Sequence, residues 1–180
     1  MGGRERILGA AARHFGAKPY AEVSIVSILT DAGVQAPTLY YHFQDKEALY
    51  VAWSEEAFAS LGSRLNIHTQ GSLEAGLAAF ASIYFISAKF DIAQALRDVN
   101  EMARDESRQA TYDAFFKSVY EPLCAILIDG MDQGELLPEP IGPIADLFLA
   151  GLYTLQALSE KDPAAIASWY VGRFLHGHHA

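Results

Sequence analysis

Apolar positions recur along this chain at intervals of three and four, the spacing that lines up side chains on one face of a helix, and no segment shows the alternation of a strand. Ile7, Leu8, Ala11, Ala12 and Phe15 form the first stripe. A second helix is predicted from Ser24, a good N-cap, through Ile25, Ile28, Leu29 and Ala32 to Gly33, which supplies the backbone freedom for a tight turn. Val34 enters a small core. Pro37 suits the first turn of a third helix, with Leu39 and Phe43 facing inward and Thr38, Tyr40, Tyr41 and His42 left outside. Two short helices around a glycine turn, the second displaying polar and aromatic side chains, is the order of parts in a helix-turn-helix with its recognition helix second.

Helix follows helix beyond that point. Asp45 is the expected N-cap of a fourth helix that runs to about Leu65 and buries Leu49, Trp53, Phe58, Leu61 and Leu65. The loop Asn66–Gly71 ends it, and Ser72 caps a fifth helix with Leu73, Leu77, Phe80 and Tyr84 on its inner face. A sixth is expected over Asp91–Arg104. The seventh opens at Glu106 or Ser107 and carries Tyr112, Phe115, Phe116, Val119, Tyr120, Leu123, Ile126 and Leu127. Pro122 lies inside it; the ring has no N–H and frees the carbonyl four residues back, that of Ser118, so this helix must kink or divide. Gly134 closes it, the stretch Pro138–Pro143 is a rigid connector, and two last helices cover residues 143–159 and 163–176. The fold class is all-α: a three-helix N-terminal helix-turn-helix domain, residues 1–44, and a helical domain, residues 45–180.

Gly33-Val34, then Thr38-Leu39-Tyr40-Tyr41-His42-Phe43, then Asp45-Lys46-Glu47-Ala48-Leu49 resemble, in that order, the signature of the TetR family (TetR/AcrR type) of one-component transcriptional regulators. Tyr20 sits where that family places an aromatic ahead of its helix-turn-helix. Motif-level resemblance covers about the first third of the chain; further on, helical pattern and length alone agree with the family. The resemblance implies a homodimer on a double-stranded DNA operator, most often a repressor of a palindromic site, released when a small-molecule effector enters a cavity among helices four to eight. The candidate DNA-binding residues are Gln35, Thr38, Tyr40, Tyr41, His42 and Lys46. Members of the family often carry arginine where this chain has Val26 and lysine where it has Ala36, so contact with DNA falls to Thr38, Tyr40, Tyr41, His42, Lys46 and the N-terminal arginines.

The last two helices carry more apolar surface than a monomer of this size would expose. Phe148, Gly151, Leu152, Leu155, Ile166, Tyr170 and Phe174 are the candidate dimer interface, with Gly151 permitting close approach across a twofold axis. Burial inside their own domain is the competing reading. The middle helices are rich in rings, and large rings line roomy, mainly apolar cavities as well as ordinary cores. Phe80, Tyr84, Asn100, Phe115, Phe116, Tyr120, Phe148 and Gln156 are therefore the candidate ligand-binding residues, for a planar or hydrophobic molecule whose polar handle meets Asn100, Gln156 or a tyrosine hydroxyl.

Charge sharpens the picture. The 180-residue chain has a net charge of −9, which by itself argues against DNA, yet residues 1–50 hold five bases and five acids. The acidity is confined to the remainder, where it repels DNA and turns the neutral head toward it. An apolar content of 51% supports globular folding. Cys124 stands alone, and the chain shows no signal-peptide pattern of basic start, apolar run and small-residue cleavage site, so a cytoplasmic location is expected. No membrane partner is expected either, because the apolar stretch Ile144–Leu158 contains Asp146 and is shorter than the roughly 20 residues of a bilayer span. Arg97, Asp98, Glu101, Arg104, Asp105, Glu106 and Arg108 read as a solvated charged face with local pairs such as Arg97 and Glu101. His176, His178 and His179 read as a histidine tail rather than a metal site. No nucleophile motif, phosphate loop or zinc spacing occurs, so neither cofactor nor metal nor enzymatic activity is expected. The alternative is a helical small-molecule-binding protein or enzyme that keeps the head without useful DNA affinity.

Overall fold

A computed structural model of the chain describes residues 2–66, 71–158 and 162–176. Among these residues the fold is all-α as predicted, with helices α1 (Gly3–Phe15), α2 (Ile25–Ala32), α3 (Ala36–His42), α4 (Lys46–Leu65), α5 (Leu73–Ser87), α6 (Ile92–Asp98), α7 (Asp105–Phe115), α8 (Glu121–Asp132), α9 (Ile141–Leu155) and α10 (Pro163–His176). Most of the loop Asn66–Gly71, the predicted end of the penultimate helix at residue 159, and His178 and His179 lie outside the described residues. The chain forms two compact units, one of residues 1–59 and 89–115, the other of residues 60–88 and 116–180.

The first unit holds the helix-turn-helix. Ser24 Oγ accepts the Ser27 amide at 3.0 Å and starts α2. Gly33, at φ +61°, ends it in the left-handed region, and the Val34 amide returns to the Leu29 carbonyl at 3.2 Å. Ile7, Leu8, Ala11 and Phe15 of α1 pack with Ile28, Leu39, Phe43, Leu49, Tyr50 and Trp53, all buried. Phe15 meets Tyr50 edge-on at 4.9 Å, and Tyr50 meets Trp53 at the same distance. Such pairs add about 0.5–1.5 kcal/mol each beyond their buried area. Val99 and Met102, far down the chain, complete this core.

The sixth helix is shorter than predicted. It ends at Asp98 and gives way to a 3-10 turn, Val99–Glu101, because Val99 and Met102 turn into the core and the amides of Ala103 and Arg104 bond to the Glu47 carboxylate instead of continuing a helix. The charged run is likewise no uniform solvated face: Asp98 is buried, and Arg97 pairs with Asp91 at 3.7 Å rather than with Glu101.

In the second unit α5 lies against α8, α9 and α10. Pro122 divides its helix as predicted, by a single π turn, Phe116–Tyr120, set before α8. The bulge brings Ser118 close to Gly62: a methyl at residue 62 would lie 2.7 Å from Ser118 Cβ and 3.0 Å from its carbonyl oxygen. Gly134, at φ +74°, closes the following turn, with the amides of Glu135 and Leu136 on the Gly130 carbonyl. α9 begins at Ile141, inside the stretch expected to be a connector, since a proline in the first turn of a helix gives up no intrahelical bond. With its terminal 3-10 turn, Gln156–Leu158, it makes an 18-residue helical run, long and apolar enough by length and composition to cross a membrane, contrary to the length read from the sequence. Its Phe148, Leu149 and Leu152 are buried in the unit.

Candidate nucleic-acid interface

The recognition helix α3 is pinned from beneath by Leu39 and Phe43, both buried. Gln35, its N-cap residue, is exposed, as are Tyr40, His42 and above all Tyr41, at 85%. The Tyr41 and His42 rings meet edge-on at 4.9 Å. Thr38 is half-buried, since α1 begins against it: a methyl at Gly3 would lie 3.0 Å from Thr38 Cγ2 and 3.5 Å from His42 Nε2. Four of the six expected DNA contacts are thus exposed.

Lys46 does not join them. Its Nζ donates to the Tyr20 carbonyl and sits 4.1 Å from the centre of the Tyr20 ring. Desolvation lowers its pKa, against the field of Asp98. The ammonium is satisfied inside the head, so reaching a phosphate requires leaving that carbonyl and ring. Nor are the first amides of α4 vacant, because Asp45 Oδ1 accepts from Ala48 at 2.8 Å. Other cations of the head are paired too: Arg4 with Glu56 at 3.3 Å, Arg13 with Asp31 at 2.9 Å. Val26, where the resemblance expects a base, is exposed.

The start of α4 carries a charged cluster that the sequence reading missed. Arg104 forks onto Asp45, with Nη1 to Oδ2 at 2.7 Å and Nη2 to Oδ1 at 2.9 Å. That hydrogen bond holds the Asp45 carboxyl below its ordinary range, against desolvation. Glu47, nearly buried, is pushed up by desolvation, but hydrogen bonds from Ser107 and the amides of Ala103 and Arg104 bring it below its ordinary value. Desolvation and the neighbouring Asp98 carboxylate drive the Tyr50 phenol far up. No local pattern could announce these pairs, since Asp45 and Arg104 are separated by 59 positions and Tyr50 and Asp98 by 48.

The ligand candidates divide between the units. Phe115 and Asn100 belong to the first, Phe115 edge-on to Phe58 at 5.8 Å and Asn100 exposed on a 3-10 turn. The second gathers Phe80, Tyr84, Tyr120, Phe148 and Gln156. Phe80 meets Phe148 at 6.3 Å, and Phe148 meets Phe174 at 5.0 Å and Tyr170 at 5.2 Å. Tyr84 donates to Gln156 Oε1 at 3.3 Å, and Gln156 Nε2 to the Ala88 carbonyl at 3.4 Å. Tyr120 donates to the Gly142 carbonyl at 3.3 Å, with the Phe116 ring 4.9 Å away and nearly half exposed. Tyr153, which the sequence reading passed over, stands 6.4 Å from Tyr84. Its phenol is pushed up by desolvation and by Asp146.

The dimer candidates need a correction. Phe148 and Leu152 are completely buried in their own chain, and Leu155 nearly so. Gly151 serves an intrachain contact, because it admits the Tyr170 hydroxyl, which donates to the Phe148 carbonyl at 2.8 Å. Burial of that phenol pushes its pKa up to about 12. Ile166 and Phe174 are half-buried. The outward apolar side chains of α9 and α10 are instead Leu147 and Trp169, with Leu158 on the 3-10 turn beyond α9.

Residues 7–53 match the sequence profile of a family described as bacterial regulatory proteins, tetR family. A search of curated protein sequences finds no match. Among solved structures the chain is similar to the transcriptional regulator FadR from Bacillus subtilis in complex with stearoyl-CoA, with 19% identity, a TM-score of 0.79, and coverage of 97% of this chain and 99% of that one. It is similar to PfmR, a TetR family transcriptional regulator from Thermus thermophilus, at 23% identity and a TM-score of 0.76, over 97% and 100% of the two chains. A bacterial regulatory protein in the tetR family from Rhodococcus RHA1 matches at 20% identity and a TM-score of 0.79, over 98% and 97%.

Proposed function

We propose, from the match of residues 7–53 to the tetR family of bacterial regulatory proteins, that this chain is a repressor of that family, one that leaves a palindromic operator when a hydrophobic or aromatic small molecule binds its C-terminal helices. Residues 1–44 read DNA, and residues 45–180 bind the effector and form the homodimer. It acts in the cytoplasm without a membrane partner, cofactor or enzymatic activity. The observation that carries the reading is the exposed surface of Gln35, Tyr40, Tyr41 and His42 over a buried Leu39 and Phe43, a rigid helix with its polar and aromatic edge outward. Two such helices on a twofold axis enter successive major grooves only when about 34–36 Å apart, so a ligand that favours another separation releases DNA.

The effector is matched to an apolar lining with few polar groups. The rings of Phe80, Phe148 and Tyr84 are fully buried, Phe80 against Phe148, so entry of a ligand has to displace them, and its polar handle competes with the Tyr84–Gln156 pair. The stearoyl-CoA in the Bacillus subtilis relative supports a long apolar ligand.

Selection of duplexes from a randomised library by the wild-type chain tests the reading. One palindromic sequence is expected to be enriched. Tyr40→Ala and Tyr41→Ala are expected to weaken it, Tyr40→Ala with relaxed sequence preference. Acyl-CoAs and aromatic compounds are then screened by thermal shift; a true effector raises the melting temperature and lowers operator affinity by the factor by which operator lowers its own. Enrichment of nothing, beside a clear thermal response, would favour a helical small-molecule-binding protein.

A further inference from the structure

The helix-turn-helix is fastened to a distant part of its own chain. Asp45 lies just beyond Phe43, the C-cap of α3, and its carboxylate both caps α4 and receives the Arg104 fork. Two positions on, Glu47 Oε2 accepts the Ala103 amide and Oε1 the Arg104 amide, each at 3.1 Å, while Arg104 Nε lies 3.2 Å from Oε1. Three positions further, the Tyr50 hydroxyl donates to Asp98 Oδ2 at 3.2 Å, and Gln94 Nε2 donates to Oδ1 at 2.7 Å. Asp45, Glu47 and Tyr50 are thus tied to one stretch, Gln94–Arg104, and all of these residues lie in the first compact unit.

We infer that Arg104 is a positioning residue for DNA reading: its fork on Asp45 sets the α3–α4 turn and with it the placement of Tyr41 and His42 on the operator. The inference rests on the regulator reading above. A bidentate guanidinium–carboxylate pair fixes direction as well as distance, which a lysine ammonium does not. Arg104 is only about one-third exposed, and two more acceptors hold it, Glu47 and Ser107 Oγ at 3.2 Å. The pair therefore costs little further ordering. Any displacement of residues 94–104 reaches the recognition helix directly through this ion pair, with no need to bend α4.

The test uses the full chain and the duplex that the wild type selects from a randomised library. Arg104→Lys keeps the charge and loses the fork; Arg104→Gln loses both; Asp45→Asn keeps a good N-cap and loses the partner. Each is expected to bind the duplex roughly tenfold more weakly, and the double variant Arg104→Gln/Asp45→Asn no more weakly than the worse single one, since one interaction is lost in all three. Amide exchange of residues 39–48 is expected to quicken in Arg104→Gln while helix content is kept. Wild-type affinity in Arg104→Lys and Arg104→Gln, or losses that add with Asp45→Asn, would overturn the inference. Should Arg104→Gln fail to fold, Arg104→Lys and Asp45→Asn decide it in the same way. A wild type that selects no duplex would instead remove the regulator reading, and the exchange measurement would still show whether the fork orders the turn.

Discussion

A methyl group at residue 151 would lie 2.1 Å from the Tyr170 hydroxyl oxygen and 2.3 Å from Cζ. Gly151→Ala must push that ring out of place, at a cost of about 1–3 kcal/mol, seen as a lower melting temperature. Gly9, in mid-helix, has only the Arg13 guanidinium within range, at 3.9 Å. Gly9→Ala should raise the melting temperature, by about 0.5–1 kcal/mol of added stability. Asp45 gives a pH prediction. Its pKa is depressed by the Arg104 hydrogen bond, so the stability from this pair is present above the ordinary carboxylate range and lost as pH falls through the depressed value. Arg104→Gln returns Asp45 toward its ordinary value, and acid unfolding followed by circular dichroism should begin at higher pH. Ser24, Gly33, Asp45 and Ser72 were legible in the sequence because a cap or a left-handed turn is a local affair. Lys46 was not, since its satisfaction by Tyr20 depends on a 3-10 turn, Tyr20–Glu22, that no periodicity announces.

At the scale of elements, the π turn and Gly62 explain each other. Pro122 forbids the α-helical bond to Ser118; the extra residue of the π turn releases that carbonyl and swings Ser118 toward α4, where only a glycine leaves room. Gly62→Ala should therefore destabilise by about 1–3 kcal/mol in urea unfolding. Pro122→Ala reopens the α register, lets Ser118 withdraw, and should recover part of that loss in the double variant. Equal losses for Gly62→Ala with and without Pro122 would separate the two features. The break at Pro122 was legible because proline chemistry is local. The early end of α6 was not, because Glu47 and the core compete with helix propensity there; nor was the start of α9 at Ile141, because the whole stretch Pro138–Pro143 reads as a connector although Pro143 fits a first helical turn.

At the scale of the molecule, the apolar excess of α9 and α10 was legible, but not which side faces outward, since apolar residues occur all round α9. Leu147, at 65% exposure, and Leu155, at 9%, separate the two. Leu147→Glu should leave a folded chain that sediments as a monomer, whereas Leu155→Glu buries an unpaired charge, costs several kcal/mol and should lower the melting temperature of monomer and dimer alike. Salt offers a second measurement. Among the described residues before position 50, only Arg6, Lys18 and Lys46 are cations outside ion pairs, so a dimer should release counterions with a log–log salt slope no steeper than about −5. The first unit has one more consequence, for synthesis and for engineering. Its core closes over Val99 and Met102, and its two pieces are interrupted by α5. A ribosome must therefore deliver residue 115 before the helix-turn-helix has its full core, so nascent chains halted earlier offer chaperones an open apolar surface. A fragment of residues 1–59 should be largely unfolded by amide exchange, and a chimera that borrows this head will keep its operator only if it also carries residues 89–115.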